Sequence, residues 1–349
     1  MKVLIIQVGN PVIKEELKSN LNYFLYPTLI EGKAYFDEKQ IINNVQTREG
    51  LKDLGCEVAF FFHTKRKKLK DLINSSFAIR RLVRDEKPDI THIYWGGVSG
   101  FIAQLFCPGK TVVSLLGSDL FGSYHPNGKK IISSRIQTLF SRLTAIMSTR
   151  TIVMSARMKN YLWNRHSSRI VVLPEGVVLT KFSPGSKENA RKHLGWDQEV
   201  FIVIFFYEGQ AVKNATLAHQ AFDTFQLNNP EAVFKIISGY NHDELVHVYR
   251  AADCMLITSY HEGSNNSVKE AMACNLPVIS VECGDAEERL GPVKNSFITS
   301  YRAEEIVSCL EVIKENRLRS DGSNFIYEVS IPVCSAQVLD LYNEMERSK

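Results

Sequence analysis

Short β-branched runs alternate with helix-length segments along this chain, and the alternation starts afresh at its midpoint. The first strand candidates are Val3–Val8, Val58–Phe62, Ile90–Tyr94, Thr111–Leu116, Thr151–Met154 and Arg169–Leu173. The second set is Phe201–Phe206, Val233–Ile237, Cys254–Thr258, Pro277–Val281 and Ser296–Thr299. The connections are long enough for crossover helices, as parallel pairing demands. Each set therefore reads as a doubly wound, Rossmann-like α/β unit. A length of 349 residues also exceeds what one core usually supports. We expect a first domain over 1–176, a linker over 177–185 and a second domain over 186–333. A final segment, 334–349, is expected to return as a helix to the first domain. The linker lies within the Pro- and Gly-bounded stretch Pro174–Gly185. Two such domains would face a central cleft. Ligands of open parallel sheets bind beyond the carboxyl ends of the strands, so the chemistry is expected in the loops that follow them.

Composition narrows the class. Hydrophobic residues are 44% and charged residues 23%, which excludes a disordered, fibrous or disulfide-dense chain. The seven cysteines are irregularly spaced with no C-x-x-C, and most have apolar neighbours, so buried reduced thiols in a cytoplasmic protein are expected. The apolar start Met1–Val8 lacks a following cleavage site and reads as a strand. No window approaches 18 apolar residues, so no membrane span is expected.

The most informative segment is Ser259–Ser280, SYHEGSNNSVKEAMACNLPVIS. Physically, a buried strand ends at Ser259 and a polar loop with Gly263 follows. A helix starts near Asn266 or Ser267, both good N-caps. Its first N–H groups and dipole form an anion site suited to phosphate. Glu262 lies in the loop and Glu270 in the first turns of the helix. A carboxylate beside phosphate repels it, so each acid is better suited to sugar hydroxyls.

The frame HEGSNNSVKEAMACNLPVISVECGD, with its Glu-x7-Glu pair, resembles the nucleotide-sugar site of the GT-B glycosyltransferases of family 4 (retaining, group 1 type). Gly263, the Glu-Ala-Met-Ala run at 270–273, Pro277 and the Gly284-Asp285 turn all belong to the match. Glu244–Asp253 and Gly176–Pro184 resemble that family's preceding helix and its linker. Pro88–His92 and Ser114–Asp119 resemble strand ends of its first domain. The resemblance implies a GT-B fold and retaining, metal-independent transfer from a nucleoside diphosphate sugar. It implies that Glu270 binds the ribose and that Glu262 lies near the transferred sugar. Gly263, Ser264 and the backbone of Asn265, Asn266 and Ser267 would surround the diphosphate.

A departing nucleoside diphosphate carries developing negative charge, and fixed cations are the expected stabilisers. Lys213, in the loop after Phe201–Phe206, matches the family's lysine, whereas Glu208 stands where its arginine usually is. Gly209 could let backbone approach a phosphate. In the first domain the family's His-Gly-x-Asp is Leu116-Gly117-Ser118-Asp119, without the histidine. Asp119 remains a catalytic candidate, as does His92 at a strand end, while Gly9, Asn10 and His125 are acceptor-side candidates. Arg157 and Lys159 also follow a strand. The glycine pattern after the first strand lacks G-x-G-x-x-G, which argues against a nicotinamide cofactor.

Net charge is only +4, but residues 1–180 hold 26 Lys+Arg against 14 Asp+Glu, and residues 181–349 hold 16 against 24. Two basic amphipathic stretches, 63–84 and 129–150, suit an anionic membrane surface. No recognised nucleic-acid motif accompanies them. The expected function is therefore transfer to a saccharide or lipid-linked acceptor in polysaccharide or glycolipid synthesis, at the inner face of the membrane. A sugar-nucleotide 2-epimerase of the same fold and a non-catalytic nucleotide-sugar or membrane-binding protein are the alternatives.

Overall fold

A computed structural model describes residues 1–9, 50–64, 69–125 and 128–347. The candidate Asn10 and residues 65–68 of the basic stretch 63–84 lie outside the described residues. The chain forms two compact units.

The first unit comprises Met1–Gly122, Ile132–Gly176 and Ile331–Lys349. Its six strands are β1 (Lys2–Gly9), β2 (Glu57–Thr64), β3 (Ile90–Tyr94), β4 (Thr111–Leu115), β5 (Arg150–Val153) and β6 (Ile170–Val172). They pair in parallel in the order β2-β1-β3-β4-β5-β6. The residues of β3 and β4 are all buried, as expected for strands covered on both faces. Their side chains join one core with Val3–Ile6, Ile79, Leu82 and the apolar face of the helix Ile331–Arg347. That helix begins at Ile331, so the return to the first unit starts three residues before the expected position 334.

His92 is part of this core. It is fully buried in the middle of β3, with Nδ1 2.5 Å from Tyr342 Oη and Nε2 2.7 Å from Ser114 Oγ. Burial pushes its pKa down to about 3, so it stays neutral when folded. An unfolded histidine takes up a proton near pH 6.5, so the unfolded state gains relative stability as pH falls from 6.5 toward 3. Each pH unit in that window costs about 1.4 kcal/mol of folding stability. Between pH 7 and 5 the wild type should therefore lose about 2 kcal/mol more than His92→Gln, measured by urea unfolding at both pH values.

The second unit comprises Val177–Ser330 together with Ser123–Ile131. Its strands are β7 (Ile202–Phe206), β8 (Val233–Ile237), β9 (Cys254–Ile257), β10 (Val278–Val281) and β11 (Phe297–Thr299). They pair in parallel in the order β11-β10-β9-β7-β8. Strand order reverses between β7 and β9, so this pair is the topological switch point. At the opposite, amino end, the buried Arg191 donates to Ala251 O, Asp197 O, Gln198 O and Val200 O, and pairs with Asp253 at 2.6 Å. This fixes the helix Lys187–Leu194 under β7 and β9.

All seven cysteines are free thiols, six of them buried. Burial pushes Cys107, Cys274 and Cys283 up to about 12, which keeps them protonated and inert. Among the described residues no helix is long and apolar enough to cross a membrane.

Candidate active site

The loops after β7, β9 and β10 build the site, all within the second unit. After β7 the chain turns at Gly209, whose φ of +87° is readily available only to glycine. A short 3-10 turn, Ala211–Lys213, then presents Lys213. After β9 comes the loop that carries Glu262. The two loops are tied together. Thr258 Oγ1 donates to the carbonyls of Lys213 (2.8 Å) and Asn214 (3.1 Å), and the Tyr260 N–H donates to Val212 O (2.9 Å).

Lys213 Nζ lies 2.7 Å from Glu262 Oε1, and Ser259 Oγ donates to the same oxygen at 2.7 Å. Burial alone would raise the Glu262 pKa. The adjacent Lys213 charge and the two hydrogen bonds outweigh it and hold the carboxyl below the usual carboxylate range. The site therefore keeps an ionised acid and a fixed ammonium side by side.

The loop closes against β10. Gly284, at φ +59°, packs on the Glu262–Gly263 backbone, and a Cβ there would stand 3.0 Å from Gly263 O. Ser264 Oγ donates to Asp285 Oδ2 at 2.8 Å. The Gly284-Asp285 turn thus sets the shape of the loop from beneath.

The helix Asn266–Ala273 follows. Its N-cap is Asn265, not Asn266 or Ser267. Asn265 Oδ1 accepts the Ser267 N–H at 2.9 Å, so that amide is satisfied within the turn. The residue wins because its backbone is extended (φ −77°, ψ 113°), as a cap requires. Asn265 Nδ2, by contrast, is a buried donor with no hydrogen-bond partner among the described residues.

Glu270 sits one turn deeper. The buried Tyr249 Oη donates to its Oε2 at 2.6 Å, and His242 Nε2 is 3.8 Å from its Oε1. Burial, followed by the Glu270 charge and hydrogen bond, pushes Tyr249 well above its ordinary pKa, so the phenol remains a donor. Lys181 Nζ lies 2.7 Å from His242 Nδ1. An ammonium only donates, so Nδ1 accepts and the ring proton faces Glu270 from Nε2. Glu270 is thereby held in one orientation by three groups that the sequence did not single out: Tyr249, His242 and Lys181. Tyr249 lies in Glu244–Asp253, whose helical pattern was legible, but which face it turned toward Glu270 was not.

Three first-domain candidates lie elsewhere than expected. Asp119 is fully buried, and its carboxylate accepts the N–H groups of Gly96 (2.8 Å), Leu116 (3.1 Å) and Gly117 (2.9 Å). It locks the loops after β3 and β4 together and has no face for a substrate. Those loops include Trp95 at φ +89°, a conformation a bulky residue holds only when its surroundings impose it. His92 is the core residue described above, not a reactive strand-end group. His125 is exposed, but its segment Ser123–Ile131 belongs to the second unit and not to the first. Gly9 closes β1, paired with Thr64. Arg157 is exposed at the start of a 3-10 turn, with Lys159 in its last turn. Among the described residues, no three His, Cys, Asp or Glu side chains converge as a metal site.

Residues 209–315 match the family described as Glycosyl transferases group 1, and residues 37–181 match Glycosyltransferase Family 4. The chain belongs to the family 4 glycosyltransferases. A D-inositol 3-phosphate glycosyltransferase of Mycolicibacterium smegmatis is 28% identical over 149 residues, covering 35% of this chain and 34% of the relative. A teichuronic acid biosynthesis glycosyltransferase of Bacillus subtilis is 25% identical over 268 residues, covering 70% of this chain and 66% of the relative. The matches thus span between a third and two thirds of these relatives' length. The sucrose-phosphate synthase structure from Thermosynechococcus elongatus aligns over 100% of both chains with a TM-score of 0.77 at 15% identity, which is a likeness of fold. The family 4 fold is accordingly GT-B, with Lys213, Glu262 and Glu270 gathered at the switch point of its second sheet.

Proposed function

We propose that this family 4 chain transfers a sugar, with retention, from a nucleoside diphosphate sugar to a saccharide or lipid-linked acceptor. The observation that carries the reading is the convergence of Lys213, Glu262 and the N-terminus of Asn266–Ala273 beyond β7 and β9, with Glu270 held one turn away. A helix N-terminus and a fixed ammonium suit a diphosphate. The buried Asn265 Nδ2 adds a donor at the same place. Glu270 has lone pairs left for two vicinal hydroxyls of a ribose. Glu262 would accept from hydroxyls of the transferred sugar while orienting Lys213. The negative charge that develops on the leaving diphosphate is then met by Lys213 and the helix, and the chemistry needs no metal. Glu208 replaces the family's arginine, so Lys213 is the side-chain cation on which this reading rests.

The test is incubation with UDP-, GDP- and ADP-sugars, with and without saccharide acceptors, following diphosphate release and the anomeric configuration of the product. Release that depends on acceptor, with retained configuration, is expected. A C2-epimerised sugar nucleotide formed without acceptor would instead favour the epimerase reading.

The same reading extends to the acceptor side. Between Asp119 and Glu175 the chain has nine Lys and Arg and no acid. Within this stretch the helix Ser134–Met147 exposes Ile136, Leu139, Ile146 and Met147, with Ile132 just before it. Trp163 is exposed with the Arg142 guanidinium over its ring at 5.6 Å. Apolar groups and cations on one face, with no acid between, suit an anionic leaflet at the cytosolic side. Co-sedimentation with phosphatidylglycerol vesicles should exceed that with phosphatidylcholine and fall with added salt. The double substitution Arg135→Glu/Arg142→Glu should reduce it at least fivefold. Equal binding to both vesicle types, or none, would return this face to ordinary solvated surface.

A further inference from the structure

The segment Ser123–Ile131 leaves the first unit at Gly122, packs as part of the second, and re-enters the first at Ile132. It folds back on itself. Tyr124 bridges Lys130, the His125 N–H donates to Lys129 O at 2.8 Å, and the Ile131 N–H donates to Ser123 O at 2.9 Å. Its aromatic ring then meets the donor-side loop. Tyr124 stacks on Tyr260 with centroids 5.2 Å apart and planes 19° from parallel, and it also lies 5.2 Å from the His261 ring. Lys130 covers Tyr124 at 5.7 Å. Gly128 packs so closely that a Cβ there would stand 2.6 Å from Tyr260 Oη. On the other side Tyr260 stacks on Tyr301, whose Oη donates to Ser259 O at 2.9 Å.

These contacts surround the residues that orient the reactive pair. Ser259 donates to Glu262, and the Tyr260 N–H holds Val212 O, next to Lys213. Aromatic pairs of this geometry contribute specificity of placement as well as burial. We propose that Ser123–Ile131 is a positioning arm for the donor loop. Through the Tyr124–Tyr260–Tyr301 stack it holds Ser259–Glu262 in the shape that places Glu262 against Lys213. The arm touches neither Glu270 nor the interior of the helix Asn266–Ala273 in any of these contacts, so its influence falls on the diphosphate end of the site. Both its ends continue into the first unit. This inference rests on the transferase reading for the identity of the ligand, but not for the mechanics of the loop.

The test compares the full-length wild type, Tyr124→Phe and Tyr124→Ser by hydrogen–deuterium exchange and by calorimetric titration of UDP, GDP and ADP. Tyr124 is half-buried, and the phenylalanine variant preserves the stack, so it serves as the conservative rescue. In Tyr124→Ser we expect exchange at the Tyr260 amide to rise at least tenfold, with protection across Val268–Ala273 unchanged. The diphosphate that binds the wild type should bind this variant about tenfold more weakly. Tyr124→Phe should match the wild type in both readouts. Exchange at Tyr260 within twofold of wild type in Tyr124→Ser would overturn the proposal. So would faster exchange with unchanged diphosphate affinity, because the loop would then not act through Lys213. If the wild type binds none of the three diphosphates, the transferase reading fails, and the exchange comparison still decides whether the arm holds the loop.

Discussion

Replacing Lys213 by alanine is expected to lower sugar transfer by about two to three orders of magnitude, the usual cost of removing a fixed group that meets developing charge. The fold should suffer as well. Glu262 would remain largely buried, with Ser259 as its remaining side-chain donor. Breaking such a pair from one side leaves an uncompensated acid, and about 2 kcal/mol of stability should be lost, discounted from the fully buried case because both side chains keep some exposure. Adding Glu262→Gln should recover much of that stability by removing the stranded charge, yet recover none of the transfer. This separates the cation's role toward substrate from its role toward Glu262. The pH dependence follows from the depressed carboxyl of Glu262. Its contribution is present in full above the unfolded value near 4.5 and is lost as pH falls through the lower folded value. In Lys213→Ala the loss should begin at higher pH, because burial then acts with less opposition. Thermal melts between pH 3.5 and 7 on the three proteins check the stability outcomes, and product formation from sugar nucleotide and acceptor checks the transfer outcomes.

Glu270→Gln is expected to weaken nucleoside diphosphate binding by about two orders of magnitude, measured by calorimetry. Two hydrogen bonds from ribose hydroxyls to a carboxylate contribute roughly 1.5 kcal/mol or more each, and a neutral amide makes weaker ones. The amide also brings an NH2 toward either Tyr249 Oη, which now donates to the carboxylate, or the ribose of the proposed nucleotide. Tyr249→Phe should produce a milder loss, on the order of tenfold, because Glu270 keeps its charge but loses the hydrogen bond that fixes its orientation. The order Glu270→Gln worse than Tyr249→Phe is the informative result. It distinguishes a group that touches the nucleotide from one that aims it. Equal losses would mean that the carboxylate serves only the packing of the helix Leu245–Ala251 against Asn266–Ala273.

Much of this architecture was legible before any coordinates, for identifiable reasons. A parallel strand covered on both faces reads as a nearly continuous apolar run, so Phe201–Phe206 located β7 to within one residue. The donor loop was legible because three features coincide within a few residues: the end of an apolar strand, a polar loop with Gly263 and a helix cap. What escaped was everything set by contacts across long sequence distance. Asp119 follows a strand, and His92 reads from the sequence as ending one, the pattern of reactive groups. Only the fold shows that one accepts three amides and the other joins Tyr342, 250 residues away, in the core. The helix start near Asn266 was legible, but the cap falls on Asn265, because Asn265, Asn266 and Ser267 all suit an N-cap and only backbone angles choose among them. Tyr249 and Lys181 lie in the stretches Glu244–Asp253 and Gly176–Pro184, but neither pattern marks them, nor any motif His242, as holding Glu270. The segment Ser123–Ile131 was assigned by its place in the chain, while its aromatic ring had a partner 136 residues away at Tyr260.

The central claim is that the second unit takes a nucleoside diphosphate through Glu270, Lys213 and the helix at Asn266. The most direct measurement is calorimetric titration of UDP, GDP and ADP into the full chain, before and after Glu270→Ala, with a melting curve showing that both proteins are folded. The account predicts saturable one-to-one binding of at least one diphosphate to the wild type and its loss in the variant. Unchanged affinity in a folded Glu270→Ala protein, or no binding of any diphosphate to the wild type, would contradict it.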